Sequence, residues 1–260
     1  MNILPWIDRI PMPVLFMLTL AFVFLAINGG IRLGLIRRER SKELESIGTV
    51  VGATLGLLAF MLAFTFNMTA NRYDERKQLF LDDINTIGTV YLRAALMPEP
   101  YATEIRTLLR EYVDIRAKAA RDPDKLREAI RSSEVIHDLL WQKTEEMIAT
   151  LHVTPMHALF VEALNEMIDL HGKRVSIGSH FRIPGIIWMG LYVVAILAMV
   201  TVGYQFGQAK QRQLLVNFIL ALTFSSVIML IVDLDRALEG SVKVNQQMLF
   251  HLQEKLQASP

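Results

Sequence analysis

The sequence predicts an all-α integral membrane protein with four membrane-spanning helices and a helical domain inserted between the second and the third. Three observations carry this. Four uncharged stretches run for 22, 26, 27 and 20 residues, over 10–31, 46–71, 183–209 and 213–232, and about 20 apolar residues suffice to cross a bilayer. A long polar segment separates them two and two. Where the second stretch meets that segment, in "LAFTFNMTANRYDERKQLF", there is no Gly, no Pro and no turn signal.

The elements follow in chain order. Only Arg9 among basic residues precedes the first apolar run, the run is long, and no small-residue cleavage site follows it, so it reads as an anchor that stays in place. The basic connection "RLGLIRRERSKELE" leads to the second span. Past Asn71, Leu79, Phe80, Ile84, Ile87 and Tyr91 continue at helical spacing, so the second span is expected to run on as the first helix of the inserted domain. Pro98 and Pro100 close it. From Arg72 to Arg182 the chain holds 16 Lys/Arg and 18 Asp/Glu, a net −2. Within it "IRTLLREYVDIRAKA" sets Ile105, Leu108, Leu109, Tyr112 and Val113 on one stripe. Asp122 before Pro123 opens a second helix, and Thr154 before Pro155 opens a third, with Gly172 near its end. The expected divisions are a first hairpin over 1–71, the inserted domain over 72–182, a second hairpin over 183–235 and a helical tail over 236–260.

Composition narrows the function. A hydrophobic fraction of 52% is high for a soluble domain. A net charge of +1 offers no basic field for nucleic acid, which is not expected as a partner. Cysteine is absent, which excludes disulfides and thiol catalysis. No Gly-rich phosphate loop, nucleophile elbow or HExxH is present, so neither an enzyme nor a cofactor is expected. His152 and His157 flank "VTPM", but a five-residue spacing across a proline is not a metal-ligand pattern.

The second span offers the candidate site. Gly56, Phe60, Phe64, Asn67 and Asn71 are spaced by four, four, three and four residues and share one helix face. Such a face either packs against neighbouring helices or lines an axial passage. In the second case Gly56, Phe60 and Phe64 form an apolar neck, of the kind that gates ions by dewetting, and Asn67, Asn71 and Arg72 form its polar mouth. Gly48, Gly52 and Gly56 form a GxxxGxxxG ladder, which admits close helix packing within one chain or between copies around an axis. Asn28 and Asn217 are the other polar residues at span ends. Asp233 and Asp235 stand where the last span leaves the bilayer, placed to hold a cation, pair with Arg236 or Arg72, or face water.

"FTFNMTANRYDERKQLF" resembles the end of the second span in bestrophins, with Phe64 eight residues before Arg72 and Phe60 and Gly56 one and two turns earlier. Tyr73 and Asp74 stand where that family has a tandem tryptophan. "DDINTIGTVYLRAALMPEP", "LLREYVDIRA" and "LDRALEGSVKV" resemble a bacterial group of bestrophin-like membrane proteins, over most of Leu57 to Val244. The resemblance implies an ion channel in a bacterial inner membrane, built from copies of one chain, five by analogy. Membrane lipid, small ions and further copies of itself are then its partners. The alternative is a non-conducting scaffold or sensor whose helical domain binds a protein. Arg32, Arg37, Arg38, Arg40, Lys42, Lys210 and Arg212 crowd the two short loops, which places those loops in the cytoplasm by charge; the resemblance implies the opposite orientation.

Overall fold

The computed structural model describes residues 10–37, 44–150, 152, 154–179, 182–209, 214–236, 240 and 242–258, with backbone alone for 44–46 and 179. The described residues form helices α1 (Met12–Ile36), α2 (Leu44–Ala94), α3 (Tyr101–Arg121), a 3-10 turn (Pro123–Lys125), α4 (Leu126–Thr150), α5 (Pro155–Ser179), α6 (Gly185–Gln208), α7 (Leu214–Asp235) and α8 (Gln247–Ala258), with no strand among them. Four of these helices, α1, α2, α6 and α7, are long and apolar enough to cross a membrane. As expected, α2 does not stop at the end of its apolar stretch: it is one helix of 51 residues. The loop residues Arg38, Arg40, Lys42, Lys210 and Arg212 lie outside the described residues.

The chain divides into two compact units, Met1–Tyr73 with Arg182–Val242, and Asp74–Phe181 with Lys243–Pro260. The end of the chain is therefore shared, and α8 belongs to the second unit rather than forming a separate tail.

In the first unit α1 packs on α6 and α7 around Ile27, Leu191, Ala198, Met199 and Ile231. Its tightest point is a crossing of four glycines. A Cβ on Gly203 would lie 2.1 Å from the Ile27 carbonyl oxygen, and one on Gly30 would lie 2.2 Å from that of Val200. Gly34 and Gly207 face each other one turn further on, each with the partner's Cα about a methyl's width away, at 3.1 and 3.0 Å from an added Cβ. Small residues four apart on both helices let the backbones touch where no hydrophobic effect favours helix association. Leu58 and Leu62 of α2 join this core, and the Thr54 and Thr201 hydroxyls meet at 3.1 Å between α2 and α6.

In the second unit the remainder of α2, with α3, α4, α5 and α8, closes over Ile87, Ile105, Leu109, Leu140, Phe160 and Leu164. α8 adds Leu249, Leu252 and Leu256, and its Gln253 and Gln257 amides donate to Asp114 at 2.8 and 3.0 Å. Three local expectations change. Asp122 is a cap, but of the 3-10 turn, accepting from the Asp124 N–H at 3.3 Å. The Thr154 hydroxyl bonds the His157 Nδ1 at 2.7 Å instead of the helix backbone. Gly172 does not end α5, which continues to Ser179, with Arg174 just beyond the glycine anchored to Asp83.

Candidate functional site

Within the first unit α2 turns Leu58, Leu62, Thr65 and Thr69 inward. The two threonines satisfy their hydroxyls on the carbonyls of their own helix, Thr65 on Met61 at 2.7 Å and Thr69 on Phe66 at 2.8 Å. The opposite side of the helix carries Gly56, Phe60, Phe64, Asn67 and Asn71, and every one of them is exposed. Phe60 is 65% and Phe64 53% accessible, and their rings stack with centroids 6.3 Å apart and planes 17° from parallel. The face thus changes along its length from bare backbone to paired rings to amides. It can shed water over two turns and offer hydrogen bonds over the next two. Arg72 is on a different side: it is half-buried, and its Nη1 is buried with no hydrogen-bond partner.

Among the described residues the glycine ladder makes no close packing. A Cβ on Gly52 or Gly56 would meet nothing within 4 Å, and one on Gly48 would meet only the Gln205 side chain at 3.6 Å. The intrachain close approach belongs to Gly30, Gly34, Gly203 and Gly207, whose spacing of four is equally visible in the sequence.

The polar residues at the span ends tie down chain. The Asp235 Oδ1 accepts from the Ile183 N–H at 3.1 Å, and the Asp233 Oδ2 from the Val242 N–H at 3.2 Å. Arg236 donates to the Ile10 carbonyl at 2.8 Å. Asn28 donates to Phe24 of its own helix at 2.8 Å, and Asn217 is buried.

The second unit holds a polar cluster that the sequence reading passed over. Asp83 on α2 is fully buried and paired with both Arg116 on α3 and Arg174 on α5. Arg116 also donates to the Tyr112 hydroxyl at 3.0 Å, and that hydroxyl lies 3.1 Å from the His171 Nδ1. His137 on α4 meets the His171 ring edge-to-face at 4.8 Å between centroids and the Tyr112 ring at 5.0 Å. An arginine only donates, so the Tyr112 oxygen accepts from Arg116 and its single proton is free for His171. That assignment puts the neutral imidazole's proton on Nε2, and the Nε2 atoms of both histidines are buried without a partner. Burial, then His171 and Arg116, push the His137 pKa down to about 4, and burial, then Arg116, lowers that of His171. Burial pushes Tyr112 up to about 12. No group of three or more His, Cys, Asp or Glu residues able to hold a metal exists among the described residues.

With this geometry in view, the sequence comparison is decisive: the bestrophin-like domain profile matches residues 16–249. The chain belongs to the bestrophin-like family. No curated protein matches it by sequence. Its fold is that of the bacterial bestrophin homologue from Klebsiella pneumoniae. One crystal structure of that protein, phased on zinc, is 14% identical to the bestrophin-like chain, with a TM-score of 0.65 over 91% of this chain and 96% of the other. A single-residue variant of it matches with a TM-score of 0.66 over 93% and 97% at the same identity. A crystal structure described as a membrane protein variant matches with a TM-score of 0.65 over 94% and 97%, again at 14% identity.

Proposed function

We propose that this bestrophin-like protein is an oligomeric ion channel in a bacterial inner membrane, with the exposed face of α2 lining an axial pore. The observation that supports it is the stripe itself. Two amides at the end of a membrane-length helix are a poor surface to leave against lipid, and Asn67 and Asn71 have no place inside the chain. Copies arranged about an axis give the whole stripe an aqueous neighbour. Phe60 and Phe64 then form the neck, with Gly56 at its wide end, and Asn67 and Asn71 the mouth. Gly56 lies on this stripe and Gly52 beside it, free to admit another copy, while Gly48 is turned toward Gln205. The family resemblance supplies the number of subunits, five.

For the permeant ion we take an anion, because Arg72, although turned off the stripe and half-buried, is the first charge after the amides and its field reaches the mouth. Asp74, exposed two residues later, opposes it. Reversal potentials of Arg72→Gln and Asp74→Asn channels measure that balance: the first should shift toward cations, the second toward anions. The decisive experiment is native mass spectrometry and single-particle imaging of the purified protein in mild detergent, followed by ion flux in liposomes. A ring with an axial hole and measurable flux is expected. A monomer across several detergents rejects the channel. A ring that passes no ion tried leaves the scaffold as the function.

A further inference from the structure

We propose that His137 and His171 form an acid-operated latch inside the helical domain, closed while both imidazoles are neutral and opened when they gain protons. The inference concerns the second unit alone and does not depend on conduction.

The geometry carries it. The two rings meet edge-to-face at 4.8 Å, one from α4 and one from α5, and both lie against Tyr112 of α3. The charged and titratable groups that act on them come from each side. α2 contributes Asp83, α3 contributes Arg116 and Tyr112, α4 the exposed Glu134, and α5 Arg174, which joins through Asp83. Asp83 is the one fully buried carboxylate among the described residues of this unit, and it is already committed to two guanidiniums. Two neutral imidazoles fit this arrangement. Two imidazolium ions do not, because they would sit in ring contact beside Arg116 with no further buried anion to answer them. A proton on the His171 Nδ1 would also turn that atom from acceptor to donor, so that the Tyr112 oxygen faces donors from both His171 and Arg116 and its own proton loses its acceptor.

The direction with pH follows from linkage. Both histidines titrate lower in the folded domain than in an unfolded chain, so the folded domain is fully favoured above about pH 6.5 and loses ground as pH falls below it. For His137, held down to about 4, the folding equilibrium weakens by about 300-fold between those limits, tenfold per unit.

The full-length protein in detergent, labelled with 13C-histidine, tests this by NMR from pH 8 to pH 4. Of the six histidines, two resonances should titrate below the ordinary histidine range, that of His137 staying neutral to below pH 5. One should vanish in His137→Phe and the other in His171→Gln. Six midpoints together near 6.5 would overturn the latch. Limited proteolysis of the same protein at pH 7.5 and 4.5, with an acid-tolerant protease, tests the opening. Cleavage within α4 and α5 should rise at least tenfold in the wild type and in His251→Gln, whose residue is 75% exposed, and less than twofold in the double variant His137→Phe/His171→Gln. An equal rise in the double variant also overturns it. Should the double variant not fold at pH 7.5, the wild-type titration and His137→Phe alone decide.

Discussion

The α1–α6 crossing and the Asp83 cluster close helix against helix by opposite means. At the crossing the side chains are absent: four glycines bring two backbones together, and an added Cβ at Gly203 would stand 2.1 Å from a carbonyl oxygen. At the cluster the side chains are long and charged, and Asp83, Arg116, Tyr112 and His171 form a chain of hydrogen bonds that joins three helices, α2, α3 and α5. The contrast follows from the two solvents. In lipid the apolar surface of a helix gains nothing by leaving its surroundings, so close van der Waals approach must hold the pair. In water burial supplies the drive, and it can carry a polar network at its centre, here satisfied except at the Nε2 atoms of His137 and His171.

Breaking the crossing should have the largest effect. Gly203→Leu places a branched side chain into the α1 backbone, and a loss beyond about 4–5 kcal/mol is expected, read as failure to yield monodisperse protein. Gly52→Leu is the counterpart: a Cβ there meets nothing among the described residues, so the subunit should fold normally, and only ring formation should suffer if the pore proposal is right. Breaking the cluster comes next. Asp83→Asn leaves two guanidiniums around a neutral amide and should cost about 3–5 kcal/mol, measured as a lowered melting temperature of the helical domain. The crossing should be untouched, which a probe on α1 or α6 would report. A substitution on the exposed stripe should cost less still. Phe64→Ala removes a ring that is half accessible, so the subunit should lose under about 1 kcal/mol while ion leak into liposomes rises; Phe66→Ala, off the stripe, should not leak. A loss of about 3–5 kcal/mol at Phe64 without leak would mark it as core instead. The gentlest test is of sidedness. A cysteine at Ser41 should resist a membrane-impermeant thiol reagent in intact cells if the short loops are cytoplasmic, and one at exposed Arg127 should react. The reverse pattern would establish the orientation that the resemblance implies.

The spans, the long second helix and the Phe–Asn stripe were legible in the sequence because each is a local, periodic property: twenty apolar residues, an unbroken 3.6 repeat, polar groups at a fixed offset. The cluster was not, because it is made of one or two residues from each of four helices, and pairing among helices leaves no local mark. A trace existed all the same. Asp83 falls three residues after Phe80 and four before Ile87, on the apolar stripe of α2, where a carboxylate has no business unless cations await it. Tyr112 and Arg116, and likewise Ser133 and His137, sit four apart on inward faces. The glycine crossing was hidden differently: three ladders with the same spacing were present, and spacing alone does not say which has a partner.

The uninterrupted helix α2 sets a constraint of phase. Each residue advances the helix by about 100°, so within the second unit the bearing of Asp83 is locked to those of Phe80 and Ile87 by the residues between them. One residue inserted between Asp83 and Ile87 would leave every side chain unchanged in identity, yet turn Asp83 away from Arg116 or Ile87 out of the core. Single insertions in this stretch should therefore be resisted, because the helix has no joint at which to slip.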